Sequence, residues 1–449
     1  MDRHPLMTHA SGDSVVAWRG GGAAPVTRSQ FVADVMALAA RLPGGQHLLN
    51  LCGDRYRFGV GLAAAMVCGK KSLLPPTHTP GVLRQIQDYA PDVFCLTDNP
   101  ACDVALPLVN VPAGPAAASV DHPMPQVDAS QCVAVVFTSG STGEPKPNPK
   151  HWGALAGCVK AEAQCLGLAP GVLYGIVGTV PPQHMYGFES TLLMAWQNGF
   201  AHSHAHPFFP ADIVAALAAI PAPRVLVSSP VHLRAMLDAG VRPPDIALVV
   251  SATAPLSAEL AREVESRYNT RLMEIYGSTE TGQVASRRTT ATSVWDLFPG
   301  VTFSRAPDEA GRTQASGGHV LQPVLMSDLI EPIDASRFLL HGRLSDMINI
   351  AGKRHSLASL NHLLTHIPGV MDGAFYMPES GDAVAPRLAA CVVAPGLDAP
   401  RIMAALSEHL DPVFLPRPLL FLNALPRNNT GKLPREALTE LFQNHATRN

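Results

Sequence analysis

The stretch Val135-Val-Phe-Thr-Ser-Gly-Ser-Thr-Gly-Glu-Pro-Lys146 constrains this chain more than any other. Cys132 to Phe137 is an apolar run that reads as a buried strand. It stops abruptly in Thr138, Ser139, Gly140, Ser141, Thr142 and Gly143, with Lys146 shortly after. Glycine lets the backbone approach a ligand closely, and successive N–H groups form an anion-binding nest, so a strand ending this way suits a polyphosphate. It is not a Walker A loop, because two residues separate Gly143 from Lys146 and no Gly-x-x-x-x-Gly-Lys-[Ser/Thr] occurs. Taken alone, the stretch also reads as a flexible Ser/Gly turn.

Strands alternate with helices on both sides of this loop. Leu48–Cys52, Lys71–Pro75 and Val93–Leu96 read as strands, and Phe58–Gly69 and Gly81–Tyr89 as helices. A second run follows: helix His151–Leu166, then strands Val172–Val180, Val225–Ser229 and Ile246–Ala254. Such alternation predicts doubly wound, largely parallel sheets, whose ligands bind beyond the carboxyl ends of the strands. At 449 residues the chain is long enough for two or three domains. The charged, glycine-marked segment Gly342–Ser345 reads as a boundary, dividing a region 1–343 from an α+β module 344–449 with helices Leu357–Thr365 and Pro400–Leu410 and strands Val370–Tyr376 and Leu388–Val393.

Composition narrows the function classes. A net charge of −3 with 15% charged residues gives no bulk electrostatic case for nucleic acid or an anionic membrane surface. The first residues carry no apolar leader, and the longest apolar run, near Val60–Cys68, is too short to span a bilayer. Cys52, Cys68, Cys95, Cys102, Cys132, Cys158, Cys165 and Cys391 form no Cys-x-x-Cys pair, which suits buried free thiols in a reducing cytoplasm.

Several further segments end strands in polar residues. Pro181-Pro-Gln-His-Met-Tyr-Gly-Phe-Glu189 places His184, Tyr186 and Phe188 at a strand-to-helix junction, a candidate pocket wall, with Glu189 free to face either way. Tyr276-Gly-Ser-Thr-Glu280 offers a ring to stack on a base, a hydroxyl for phosphate and a carboxylate for a hard cation, and alone also reads as an ordinary turn. His202, His204 and His206 alternate and could share one face of a strand as metal ligands, but no further ligand cluster accompanies them. Lys432 follows Gly431 on a turn with no obvious partner in its own module.

Thr138–Lys146, Tyr276–Glu280, Asp328, Gly342-Arg-Leu-Ser-Asp-Met-Ile-Asn-Ile-Ala-Gly-Lys-Arg354 and Pro426-Arg-Asn-Asn-Thr-Gly-Lys432 stand in one order, and together they resemble the adenylate-forming superfamily of acyl- and aryl-CoA synthetases, peptide-synthetase adenylation domains and firefly luciferase. The likeness runs from about Leu48 to Arg435. It implies a large N-terminal α/β domain and a small C-terminal α+β domain that turns about Ser345. It also implies that Thr138, Ser139, Gly140, Ser141, Thr142, Gly143 and Lys146 hold the ATP phosphates. Tyr276 would pack on adenine, Thr279 touch the α-phosphate, Glu280 bind magnesium, and Asp328 with Arg343 hold the ribose. Lys432 would stabilise the forming acyl-adenylate, and Arg354 and Gly352 would serve the second half-reaction with coenzyme A or the phosphopantetheine of a separate acyl carrier protein. His184 matches a position beside the acyl pocket, expected to include Tyr186, Phe188, Ser228, Ser251 and Thr253 and to suit an aryl or modest-length acid.

The implied activity is AMP-forming acid–thiol ligation; a nucleotide-binding homologue without turnover and a general ATPase are the other classes these residues admit. Three departures stand out. Only 52 positions separate Tyr276 from Asp328, which implies a trimmed β-barrel; Asn349 stands where many members carry lysine; and Pro147-Asn-Pro-Lys-His151 is unusually proline-rich.

Overall fold

The computed structural model describes residues 2–112, 114, 122–139, 145–307, 312–343, 347–350, 353–378, 387–427 and 433–446. They form two compact units. The first comprises Met1–Ser304, Gln314–Val324 and Ala335–Arg337; the second comprises Arg305–Thr313, Leu325–Asp334 and Phe338–Asn449. Compactness therefore does not divide at a single point: Asp328 and Arg343 group with the second unit, although both lie in the stretch 1–343.

Two large sheets organise the first unit. One runs in the order Pro145–His151, Cys132–Ser139, Lys71–Leu74, His47–Asn50, Phe94–Thr97, Leu108–Asn110 and is parallel except for the hairpin at its edge. The other is parallel through Arg271–Ser278, Leu248–Ser251, Arg224–Ser228, Gly175–Gly178, Ala201–Ser203 and Val15–Trp18, with antiparallel strands flanking that run. Parallel sheets must be covered on both faces, and both are. A single apolar cluster fills the space between them, drawing on helices Arg28–Ala39, Arg55–Val67 and Trp152–Cys165. Helix Arg55–Val67 is buried almost all round, as a helix between two sheets must be. Asp54 caps it by accepting from the Arg57 N–H at 3.0 Å. Helices Pro210–Ala218, Pro230–Asp238 and Ala258–Tyr268 cover the outer face of the second sheet, and Pro80–Tyr89 covers that of the first.

The proline-rich segment after the glycine-rich stretch is an edge strand. N–H groups of a strand alternate between its two sides, so prolines at 145, 147 and 149 leave all their missing donors on one side, the free edge. The irregular region after Thr289 contains short strands, Val294–Leu297, Thr302–Arg305, Thr313–Gly317 and Val320–Leu325.

In the second unit, strands Asp372–Tyr376, Ala389–Val393 and Leu419–Phe421 form a sheet. Helices Leu357–Thr365 and Ala399–Ser407 pack on one face and Arg435–Ala446 on the other. Among the described residues, no helix is long and apolar enough to cross a membrane. Cys52, Cys95, Cys158 and Cys391 are buried, whereas Cys68 is exposed, so burial accounts for only part of the cysteine set; all eight are free thiols.

Candidate active site

The site residues of the first unit lie where parallel strands run out. Strand Cys132–Ser139 leads into the glycine-rich loop; Gly140, Ser141, Thr142 and Gly143 lie outside the described residues. On the return strand Lys146 stands opposite Thr138 and is exposed. Asn148 stiffens this hairpin mouth, donating to the Lys146 carbonyl at 3.0 Å and the Thr138 hydroxyl at 3.4 Å.

Tyr276, Thr279 and Glu280 belong to a hairpin formed by Arg271–Ser278 and Gly282–Arg287, with a register break at Tyr276/Gly277. Gly277 must be glycine: a Cβ there would lie 2.3 Å from the Gly282 carbonyl oxygen. Hydroxyls tie the turn internally. The Ser278 N–H donates to Thr281 Oγ1 at 3.1 Å, the Thr281 N–H to Ser278 Oγ at 3.2 Å, and Thr281 Oγ1 to the Gly282 carbonyl at 2.7 Å. Gly282 closes the turn at φ +71°, a left-handed conformation that favours glycine. Thr281 is buried by this arrangement, Thr279 is half-buried and Glu280 is exposed at the tip. The Tyr276 ring packs against Trp295 with centroids 5.6 Å apart.

From beneath, Lys150 grips the same turn. Its Nζ donates to the Thr279 carbonyl and, at 3.3 Å, to that of Glu280. Sequence reasoning passed over this lysine. The available signal was alternation: Lys146, Asn148 and Lys150 are polar positions of one edge strand, and Asn148 and Lys150 are buried.

The expected acyl-pocket residues separate into two groups. Ser228 and Ser251 are register partners at the ends of adjacent parallel strands, both fully buried. Tyr186 reaches them across the sheet end, its hydroxyl donating to the Val250 carbonyl at 2.9 Å, and Thr179 Oγ1 lies 3.0 Å from Ser228 Oγ. Among the described residues the buried Ser251 hydroxyl has no hydrogen-bond partner. Thr253, two residues on, holds φ +80°, a conformation rare for a β-branched residue and common where strands end at functional sites. Half-buried His184 caps the short helix Met185–Gly187, its Nδ1 accepting from the Tyr186 N–H at 3.3 Å. Phe188, by contrast, is wholly inside the apolar core.

Glu189 turns inward. It stands at 1% exposure on the wide-turn helix Phe188–Leu193, a local widening found often at functional sites. With Glu162, Cys158, Ser190 and Gln283 it makes a buried polar cluster behind the turn. Gln283 Nε2 donates to Ser190 Oγ at 2.8 Å. Burial pushes the Glu189 carboxyl up to about 7, partly offset by Lys150, and burial pushes the Glu162 carboxyl up to about 8. Arg55, with no exposed surface, anchors the neighbouring strand end: it donates to Thr191 Oγ1 at 2.7 Å and to the carbonyls of Gly178 and Val180 at 2.8 and 3.1 Å.

The alternating histidines do not converge. His204 Nδ1 lies 2.8 Å from Asp54, and burial lowers His202 and His206 to about 4; among the described residues no group of His, Cys, Asp or Glu could hold a metal ion as a cluster.

In the second unit, Asp328 opens strand Asp328–Pro332 and stands opposite Arg343 across an antiparallel ladder, so the hairpin brings these two residues together. Arg354 pairs with Asn349 in the next hairpin. Ser345, Gly352 and Lys432 lie outside the described residues. Arg427, five positions before Lys432, is clamped by two 2.8 Å hydrogen bonds to Asp372.

Comparison with known proteins gives this geometry a lineage. A family model described as AMP-binding enzyme matches residues 97–312. A 4-coumarate–CoA ligase of Rhodobacter capsulatus is 30% identical over 305 residues, covering 67% of this chain and 74% of the relative. Among solved structures, ATP-bound MatB from Rhodopseudomonas palustris superposes with a TM-score of 0.82 at 18% identity, over 97% of each chain. The o-succinylbenzoate CoA synthetase MenE of Bacillus subtilis, in complex with its acyl-adenylate, superposes with a TM-score of 0.80 at 17% identity, over 98% of each. Similarity to these structures shows the fold, and the match to the ligase fixes the lineage. This chain belongs to the AMP-binding, adenylate-forming superfamily of enzymes.

Proposed function

We propose that the chain is an AMP-forming ligase that activates an aryl or modest-length carboxylic acid with ATP and passes the acyl group to coenzyme A. The observation that carries this reading is the Ser278–Gly282 turn: tied internally by hydroxyls and from beneath by Lys150, it presents Thr279 and Glu280 at the end of a parallel sheet whose neighbouring strands finish in Ser228 and Ser251. The acids in the names of the relatives, 4-coumarate and o-succinylbenzoate, are aromatic, which supports an aryl substrate.

In the first step an oxygen of the acid bonds to the α-phosphorus while pyrophosphate leaves with the electron pair of the broken P–O bond. The loop Thr138–Gly143 and Lys146 hold the departing phosphates, Thr279 the α-phosphate, Tyr276 the adenine, and Asp328 with Arg343 the ribose. Lys432, brought in as the region 344–449 turns at Ser345, places its charge where negative charge builds up. Glu280, an exposed carboxylate on a fixed turn, fits a hard cation, and it would hold magnesium. A magnesium ion held by Glu280 would supply charge neutralisation at the phosphates. In the second step the thiol sulfur bonds to the acyl carbon, AMP leaves with the electron pair, and the thiol proton passes to solvent. Arg354 and Gly352 belong to the face that serves this step, one cavity hosting both halves in turn. The free thiols suit a reducing cytoplasm.

The test is acid-dependent exchange of labelled pyrophosphate into ATP across a panel of aryl and aliphatic acids. Exchange with aryl acids, falling roughly 100-fold or more in Lys432→Ala, is the expected result. No exchange with any acid, or release of ADP and phosphate, would overturn the reading. Coenzyme A and a holo acyl carrier protein offered together identify the thiol acceptor by product mass; acylation of the carrier alone would replace coenzyme A in the proposal.

A further inference from the structure

Lys150 is a charged residue in a place where desolvation is expensive. It is 8% exposed, and burial draws its pKa below the ordinary lysine value, opposed chiefly by the charge of Glu189 and then by that of Glu280. An ammonium out of water is tolerated only with partners for its protons and its charge. Two of its three protons are accounted for by the carbonyls of Thr279 and Glu280. Its countercharge, Glu189, lies against the same turn, since a Cβ on Gly282 would lie 2.9 Å from Glu189 Oε1. Carbonyls directed at Lys150 leave the Thr279 and Glu280 side chains to the outer side of the turn, where Glu280 is exposed.

We infer that Lys150, backed by Glu189, is a positioning residue for adenylation: it fixes the Thr279 and Glu280 carbonyls so that the hydroxyl and carboxylate of those residues leave the turn toward the nucleotide. The inference rests on the nucleotide-binding roles given above to Thr279 and Glu280. Charge-assisted hydrogen bonds are stronger than neutral ones, and a turn held by them keeps its direction better than one held by packing. Residues gripped in this way matter because small misplacement of a binding group lowers rate and affinity steeply.

The test uses the full chain with Lys150→Met and Lys150→Arg. Lys150→Met is expected to raise the KM for MgATP and the magnesium requirement of pyrophosphate exchange about 10-fold, with the KM for the acid unchanged; Lys150→Arg, which keeps a cation and its donors, recovers most of the loss. Removing one member of a buried pair can itself prevent folding. The double variant Lys150→Met/Glu189→Gln leaves no lone buried charge and is expected to fold with the same nucleotide defect. Parental MgATP and magnesium dependence in the folded Met variants, or an equal rise in the KM of acid and nucleotide, would overturn the inference while leaving the ligase reading intact. Absence of exchange in the parent chain would overturn the ligase reading itself.

Discussion

Replacing Glu162 with glutamine should stabilise the protein, and by an amount that grows with pH. Glu162 lies on helix Trp152–Cys165 with no exposed surface, beside Ser190 and Gln283, which ease the burial of its carboxylate only in part. Burial, opposed by Ser190 and Gln283 and reinforced by the Glu189 charge, raises its pKa from 4.5 to about 8. Unfolded, the group gives up its proton near pH 4.5; folded, it holds the proton to about pH 8. Across that window the folded chain carries more protons than the unfolded one, so stability falls as pH rises and levels off once both states are ionised. Glutamine, neutral throughout, removes this dependence. One pKa unit corresponds to about 1.4 kcal/mol, so the advantage of Glu162→Gln over the parent should be about 3 kcal/mol larger at pH 8 than at pH 5. The assay is urea unfolding followed by tryptophan emission at a series of pH values. Trp18, Trp152, Trp196 and Trp295 all belong to the first unit, the unit that contains Glu162, so the signal reports the relevant transition. Any constant offset from the amide group cancels, because the slope with pH is the readout. Midpoint curves for parent and variant that run parallel from pH 5 to pH 8 would refute the reasoning.

Two further outcomes follow from side chains around the strand ends. Arg55→Leu should lower stability by about 3–5 kcal/mol, because the carbonyls of Gly178 and Val180 and the Thr191 hydroxyl lose their donor inside the core; an unchanged urea midpoint would refute that account. Thr253→Gly should raise the thermal midpoint, gaining about 1 kcal/mol by removing the strain of φ +80°, less the entropy glycine adds to the unfolded chain; a fall in the midpoint would show that contacts of the threonine side chain outweigh the backbone strain.

The sequence by itself determined the architecture and the motifs. Short apolar strands alternating with helices leave few ways to bury both faces of a sheet, and the predicted helix Leu357–Thr365 has the same bounds in the structure. Thr138–Lys146 and Tyr276–Glu280 stand out in the sequence because each is a run of contiguous residues. Tertiary structure alone decided what depends on distant pairing. Strands Val15–Trp18 and Val26–Thr27 acquire meaning only beside Ala201–Ser203, at the far edge of the second sheet. The proline alternation in Pro145–Pro149 becomes intelligible once that strand is an edge. Glu189 could face either way in the sequence, and helix geometry buried it. Lys150 lies 129 positions before the Thr279 carbonyl that it holds. Hydrogen bonds to backbone carbonyls leave no residue-type signature at the accepting end, so the residue that grips the Ser278–Gly282 turn could be found only in the folded chain.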